Sequence, residues 1–432
     1  MCFSIPAKVI SIEGRYGTVE WFGRRQRVIM DLVDAKPDDY IYVQGGLGIS
    51  VVPSEQALEV LKLWEDSFDL LEQRDKEKAE DFLLNKAVAD KRVQNIISKA
   101  VKNRDLSDKD AIVLLNLKSK NDIRALLDTA NWIRHKNHGN ACCVHGIIEF
   151  SNNCTSSCFY CGINSSSKIE RYRMSLDDII KTSKEAVERF GFKAILIQSG
   201  EDPFYDEDSL IFLTEKLRGL GILVFLSIGM KSIDTYKKLY NKGARACLLR
   251  FETSNKRIFE NLRPKSSYDE RISLIFELKK MGFILATGFL IGLPEETDID
   301  LINNIRLTKK IKPDMWSFGP FLPVEGTPLE GSKPPDFDRV LKTIAISRLF
   351  EPDSNILVTT AMEVLDNDAT RSALLAGANS LMTTLTPSVF RRLYRIYNRP
   401  SSVFLDTAEQ ITRLTELLLS LGRSPMDVSV TK

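Results

Sequence analysis

The second half of the chain alternates between short apolar runs and amphipathic stretches, and this alternation constrains the fold most. Eight β-rich runs are separated by segments with helical periodicity, such as residues 176–190, 209–220 and 298–311. Buried strands alternating with helices are typical of parallel α/β folds. Eight such units over about 240 residues predict a (β/α)8 TIM-type barrel, with a doubly wound sheet as the alternative. The predicted strands are residues 146–151, 194–199, 222–227, 244–250, 283–290, 315–320, 356–359 and 379–382.

The N-terminal part of the chain has a different pattern. Its β-rich runs, residues 7–12, 16–21, 25–29 and 40–44, are split by turn residues. Turns about every ten residues indicate a small, OB-like β-barrel. The next stretch is rich in Lys and Asp and has helical periodicity. We therefore expect a small β-barrel over 1–66, a helical connector over 67–140, and the large barrel with a closing C-terminal helix over 141–432.

Composition excludes several classes of protein. The 432 residues carry 60 Lys and Arg against 58 Asp and Glu, a net charge of +2, so nothing indicates a nucleic-acid partner. No apolar run approaches the roughly 20 residues that span a bilayer, and the N-terminus lacks the features of a secretion signal. We expect a cytoplasmic protein without membrane contact. Seven cysteines, an odd number, favour thiols with a chemical role over a disulfide framework.

Cys154, Cys158 and Cys161 lie within eight residues, directly after the first predicted strand of the large barrel. Loops at the carboxyl ends of barrel strands carry the active site in this fold. A structural zinc site requires four ligands, whereas an iron–sulfur cube held by three thiolates keeps one iron open for another ligand. The spacing therefore predicts an open cluster. A zinc site that uses His145 or Cys143 as its fourth ligand is the alternative.

The string Cys154-Thr-Ser-Ser-Cys158-Phe-Tyr-Cys161-Gly162 resembles the motif of the radical S-adenosylmethionine (SAM) superfamily. The resemblance implies that the three cysteines hold a [4Fe–4S] cluster whose open iron binds SAM. Reductive cleavage of SAM would then give a 5′-deoxyadenosyl radical. Residues 198–203 and 288–297 resemble the superfamily's segments near the methionine and adenine of SAM, although a helix cap or a plain turn would read similarly.

Further strings resemble the HydE-type maturase of [FeFe]-hydrogenase over about residues 100–425, with biotin synthase and methylornithine synthase as relatives. They are residues 147–152, 248–253, 262–264, 319–323 and 359–362. The resemblance implies SAM contacts at Tyr160, Glu201, Arg250, Glu252 and Arg271, and a substrate pocket near Thr359, Thr360 and Met362. Internal salt bridges and plain barrel packing are the alternatives for these residues.

The sequence departs from its relatives in places. No cysteine follows Cys247, so we expect neither the sulfur-donating cluster of biotin synthase nor the C-terminal cluster of some HydE-type proteins. Residues 324–326 and 383–385 differ from the family pattern, so the substrate could differ too. The adjacent Cys142 and Cys143 are interpreted as buried packing, with a local redox or metal role as the alternative.

Residues 1–65 resemble the HypC/HupF family of hydrogenase-assembly chaperones, on Met1-Cys2-Phe-Ser-Ile-Pro6 and on residues 28–33 and 39–43. The resemblance implies that Cys2 becomes an iron ligand once Met1 is removed. Gln44 stands where the family usually has His, which places the usual ligand set in doubt.

The two resemblances together predict a radical SAM enzyme of hydrogenase metallocofactor maturation. Its substrate would be small and iron- or cysteine-derived, and the small barrel would carry an Fe(CO)(CN)-type intermediate or act as a docking module. The partners implied are other maturation proteins or a scaffold, and an electron donor such as ferredoxin or flavodoxin. An amino-acid mutase resembling methylornithine synthase and a non-catalytic assembly chaperone are the alternatives. A small barrel over the mouth of the large one would favour direct delivery, whereas placement on the closed face would favour separate roles.

Overall fold

A computed structural model describes residues 5–102, 105–400 and 404–425. Its first unit is a closed barrel in the order β1-β2-β3-β5-β4, which confirms the predicted small barrel. Val9, Val19 and Ile41 are fully buried inside it, as the alternating pattern requires. The fifth strand was not predicted, because Gly48 interrupts its apolar run. The strands are β1 (Ala7–Glu13), β2 (Tyr16–Trp21), β3 (Arg24–Ile29), β4 (Tyr40–Gln44) and β5 (Leu47–Val52).

Four helices connect the two barrels: α1 (Ser54–Val88), α2 (Lys91–Val101), α3 (Asp108–Leu115) and α4 (Lys120–His138). Helix α1 crosses residue 66 without a break, so the backbone marks no boundary there. It packs along α4, where the rings of Phe82 and Trp132 lie 4.7 Å apart. Although α1 has 35 residues, no helix in the described ranges is long and apolar enough to cross a membrane.

Eight parallel strands form the large barrel in the order β6-β7-β8-β9-β10-β12-β14-β15, and β15 pairs with β6 to close it. This confirms the (β/α)8 prediction over the doubly wound sheet. The elements are β6 (Cys143–Ser151), α5 (Leu176–Phe190), β7 (Ala194–Ser199), α6 (Glu207–Gly219), β8 (Leu223–Ser227), α7 (Ile233–Asn241), β9 (Ala244–Leu248), α8 (Lys256–Leu262), α9 (Tyr268–Met281), β10 (Ile284–Thr287), β11 (Leu290–Ile291), α10 (Asp298–Ile311), β12 (Met315–Ser317), β13 (Gly319–Pro320), α11 (Phe337–Phe350), β14 (Asn355–Val358), the 3₁₀ helix Thr360–Val364, α12 (Ala369–Leu375), β15 (Ser380–Thr384), α13 (Ser388–Arg391) and α14 (Thr407–Ser420).

Two predicted strands, residues 283–290 and 315–320, are each broken in the structure. Strands β10 and β12 stay in the barrel, while β11 and β13 pair with each other in a separate two-stranded sheet above it. The break coincides with a close backbone approach, because a Cβ atom at Gly288 would lie 2.2 Å from the carbonyl oxygen of Ser317. Strand β6 is longer than predicted, because it begins at Cys143, three residues before the predicted start.

The small barrel covers the closed, amino-terminal end of the large barrel. Its residues Leu47 and Ile49 share one apolar cluster with Ala194 and Leu223, which begin strands β7 and β8. The loops after the carboxyl ends of the strands are at the opposite end. Of the two placements considered from the sequence, this is the one that favours separate roles for the two barrels.

Candidate functional site

The three-cysteine loop lies where β6 ends. Cys154, Cys158 and Cys161 line one cavity of about 510 Å³ at the carboxyl end of the barrel. Cys158 is 6% exposed. Burial raises the pKa of Cys158 and raises that of Cys161 to about 12. Both are therefore protonated as free thiols at neutral pH, and a metal centre that binds them must displace the protons.

The turn after β7 holds the first cysteine in place. The backbone N–H of Thr155 donates to the carbonyl of Glu201 at 3.0 Å, and the N–H of Glu201 donates to Sγ of Cys154 at 3.3 Å. Gly200 makes this approach possible, since a Cβ atom there would lie 2.2 Å from the carbonyl oxygen of Asn153. The requirement for glycine at this position is therefore steric.

One wall of the cavity is a chain of polar contacts around Glu201. Ser156 donates to Oε2 of Glu201 at 2.8 Å, and Arg263 lies 3.5 Å from its Oε1. Arg263 also donates to the Tyr160 hydroxyl at 2.8 Å. Arg263 is 5% exposed and was not predicted as a site residue. The only signal for it was the Leu-Arg-Pro string at 262–264.

The same wall continues through Arg250, Glu252 and Arg271. Arg250 pairs with Oε2 of Glu252 at 3.3 Å, and Nε of Arg271 donates to the carbonyl of Arg250 at 2.6 Å. Nη1 of Arg271 is buried without a hydrogen-bond partner in the structure. Glu252 has a φ of 68°, a left-handed conformation that costs a non-glycine residue about 1–3 kcal/mol and concentrates at functional sites. The five predicted contacts thus line one cavity with the cysteines.

Another part of the cavity lining contains a buried ion pair that sequence reasoning missed. Nη2 of Arg399 donates to Oε1 of Glu149 at 2.7 Å, and the two side chains are 5% and 2% exposed. The hydroxyls of Thr384 and Thr386 donate to the other oxygen of Glu149. Glu149 falls on the inward face of β6 by strand alternation and could have been found. Arg399 follows the last strand in an irregular segment that gave no signal.

The predicted substrate residues divide into two groups. Thr359 and Thr360 line the cavity, and Thr360 is hydrogen-bonded to the Tyr397 hydroxyl. Met362 does not line the cavity, so the structure gives no support for a substrate contact there. It is 1% exposed and belongs to the main hydrophobic core, because the 3₁₀ helix that starts at Thr360 turns its side chain away from the cavity.

The alternative zinc site is not supported by the geometry. His145 and Cys143 lie at the start of β6, and about 13 Å of strand separates His145 from Glu149, where the cavity begins. No histidine lines this cavity among the described residues. In the same ranges, no three His, Cys, Asp or Glu side chains converge to hold a single ion. Cys2 lies outside the described residues.

Comparisons with known proteins identify the families to which the two barrels are similar. Residues 148–308 match the radical SAM superfamily, and residues 317–429 match the biotin and thiamin synthesis associated domain. Residues 1–64 match the HupF/HypC family. The chain is 36% identical over 312 residues to the [FeFe] hydrogenase maturase subunit HydE of Thermotoga maritima. The aligned residues are 72% of this chain and 89% of that protein. The chain belongs to the radical SAM superfamily as a HydE-type protein. Its N-terminal barrel is a HypC/HupF-like domain.

Other radical SAM proteins are similar to this HydE-type chain. The 3-methylornithine synthase of Methanosarcina acetivorans is 34% identical over 293 residues, which are 67% of this chain and 82% of that protein. A crystal structure of methylornithine synthase superposes with a TM-score of 0.67 at 27% identity, and covers 76% of this chain and 97% of that one.

Proposed function

We propose that this HydE-type protein is a radical SAM enzyme of hydrogenase metallocofactor maturation, with a [4Fe–4S] cluster held by Cys154, Cys158 and Cys161. The observation that carries the proposal is the single cavity in which three thiols face a wall of buried charges. Three thiols without a histidine in the lining fit a cube with one open iron.

The charged wall fits the polar end of SAM. Arg271 has a buried N–H group without a hydrogen-bond partner, and Glu252 is held beside Arg250. A carboxylate suits the guanidinium groups, and an ammonium suits Glu252 and Glu201. When bound, the cluster and SAM supply one-electron cleavage of a sulfonium to a 5′-deoxyadenosyl radical. Tyr160 is positioned beside this site by Arg263.

The substrate would occupy the rest of the cavity, beside Thr359 and Thr360. We infer a small iron- or cysteine-derived molecule, because the relative HydE is named as a hydrogenase maturase. We also infer an electron donor such as ferredoxin or flavodoxin. The position of the small barrel supports a role apart from the radical site. It would carry an Fe(CO)(CN)-type intermediate or dock another maturation protein or scaffold at the far end of the large barrel.

Anaerobic reconstitution with iron and sulfide tests the enzyme proposal. With SAM and a reductant, wild-type protein should bind about four irons per chain, the content of one cube, and release 5′-deoxyadenosine. Cys158→Ala should lose both, whereas Cys247→Ala, which removes a buried thiol outside the cavity, should keep both. Bound zinc, or a cluster that does not cleave SAM, would contradict the enzyme proposal and favour a non-catalytic assembly chaperone.

The pair formed by Glu149 and Arg399 favours a second candidate, an amino-acid mutase. A carboxylate and a guanidinium on one cavity wall suit the ammonium and carboxylate of an amino acid. Incubation with lysine, SAM and reductant separates the candidates. A rearranged amino acid in the products supports the mutase, and unchanged lysine with turnover on an iron–cysteine complex supports the maturase.

A further inference from the structure

The first half of β6 places two metal-binding side chains at the floor of the large barrel. Cys143 and His145 are two residues apart, so both point to the same side of the strand. Sγ of Cys143 lies 2.9 Å from Nε2 of His145, and each residue is 3% exposed. Their neighbour Cys142 belongs instead to the core between barrel and helices.

The small barrel supplies two amides to the same region. Nε2 of Gln44, at the end of β4, lies 3.3 Å from Sγ of Cys143. Gln26 of β3 is 7% exposed, and its Oε1 is buried without a hydrogen-bond partner in the structure. Burying an amide oxygen that accepts no hydrogen bond costs free energy of folding. The unpartnered oxygen therefore indicates that a bound cation or hydrogen-bond donor contacts it.

A cavity of about 460 Å³ between the two barrels adjoins this cluster through His145 and Gln26. His145, Gln26 and Phe225 contribute to its lining, and the exposed residues Lys312 and Asp353 contribute at its rim. A water molecule occupies roughly 30 Å³ in the liquid, so the cavity has room for several small ligands. Its charged rim gives access from solvent at the end of the barrel opposite the three-cysteine loop.

We propose that Cys143 and His145 form a second metal site, at the junction of the barrels, for a divalent transition metal of the Fe²⁺, Co²⁺ and Zn²⁺ class. Thiolate and imidazole suit these ions. Tetrahedral coordination requires a sulfur-to-nitrogen distance of roughly 3.6 Å, so the pair must open from 2.9 Å by less than 1 Å.

The site is built to exchange its ligands. In the described part of the chain, no third His, Cys, Asp or Glu joins the pair. A metal there keeps open positions, which the amide oxygen of Gln26 and small molecules from the cavity can fill. A structural zinc site has four protein ligands and is closed. The junction site is therefore suited to holding and releasing a metal complex, and it does not depend on radical chemistry.

Binding of Co²⁺ tests the proposal in the full chain, under anaerobic conditions, with the three loop cysteines replaced by alanine. One Co²⁺ per chain should bind and produce a thiolate-to-metal charge-transfer band. Cys143→Ser should abolish the band. His145→Asn should weaken binding by at least about tenfold, the lower end of what even outer-sphere changes cost. Cys142→Ser is the matched control and should leave binding unchanged.

Three results would overturn the proposal: no bound Co²⁺, a band that survives both junction variants, or a band lost with Cys2→Ser and kept with Cys143→Ser. Circular dichroism checks that each variant is folded. If a variant of Cys143 or His145 fails to fold, X-ray absorption at the cobalt edge is measured on protein in which both residues are intact. The ligands seen around cobalt then test the proposal. One sulfur and at least one imidazole nitrogen around cobalt support the site, and an all-oxygen shell or one without imidazole refutes it.

Discussion

Replacing Asp75 by asparagine removes the charge at the centre of a buried ion network that ties α1 to α4 and to the C-terminal segment. Its two oxygens accept from Arg134 at 2.7 and 2.8 Å, and one of them lies 2.8 Å from Arg423. His135 is within 2.7 Å. Asp75 is 1% exposed and both arginines are completely buried. The variant therefore leaves two guanidinium groups in the core without a compensating charge.

The size of the effect follows from this burial. Loss of one partner from a buried pair costs about 3–5 kcal/mol. We take the middle of that range, about 4 kcal/mol, for the one carboxylate that two cations share. Burial alone would raise the pKa of Asp75, but Arg134 and Arg423 outweigh it and hold the pKa well below its usual range. A lowered pKa stabilises the fold above about pH 4, the unfolded value, and this contribution is lost as the pH falls further.

Denaturant unfolding of wild type and Asp75→Asn, at pH 7 and at pH 3, measures both quantities. We expect the difference of about 4 kcal/mol at pH 7 to shrink at pH 3, where the unfolded carboxyl is protonated. Glu80→Gln, an exposed carboxylate on the same helix, should change stability by less than about 0.5 kcal/mol. A difference for Asp75→Asn below about 1 kcal/mol, or one that does not vary with pH, would refute the reasoning.

Three further variants test a buried carboxylate outside the cavity and two residues of the candidate site. Burial raises the pKa of Glu296 to about 7, so wild type should lose roughly 2–3 kcal/mol relative to Glu296→Gln between pH 5 and pH 8, as measured by denaturant unfolding. Gly200→Ala should lower the iron bound on reconstitution while circular dichroism stays unchanged, because its Cβ clashes with the cysteine loop. Arg263→Lys cannot contact Tyr160 and Glu201 together, and should weaken SAM binding about tenfold by calorimetry.

The barrel could be predicted because its strands are buried on both faces and read as apolar runs between helices. The three-cysteine loop was predictable because its ligands are neighbours in sequence. The start of β6 was missed, since Cys142, Cys143 and His145 do not read as part of an apolar run. Because Cys143 and His145 were left outside the predicted strand, strand alternation could not be used to predict that they point to the same side.

Contacts between distant residues could not be predicted in the same way. Glu149 and Arg399 are 250 positions apart, and only closure of β15 against β6 brings their segments together. Arg263 donates a hydrogen bond to Tyr160, 103 positions away. The resemblance that implied a substrate contact at Met362 carried no information on its burial, which follows from the 3₁₀ helix over Thr360–Val364.

The inward face of β6 relates the two ends of the molecule to each other. It presents Cys143 and His145 at the floor, Ile147 in the middle and Glu149 beside the three-cysteine loop. The six steps from Cys143 to Glu149 span about 20 Å at 3.3 Å per residue, and the middle layer is apolar. A complex held at the floor therefore cannot touch the radical site directly.

The apolar packing at the floor also holds the two barrels together. Leu47 and Ile49 of the small barrel are 3% and 0% exposed against the starts of the large-barrel strands. Separation of the barrels would return this surface to water at about 25 cal/mol per Å². The small barrel is thus part of the core of the large one. If the proposed junction site holds a metal complex, that complex would travel to the mouth around the outside of the barrel or bound to another protein.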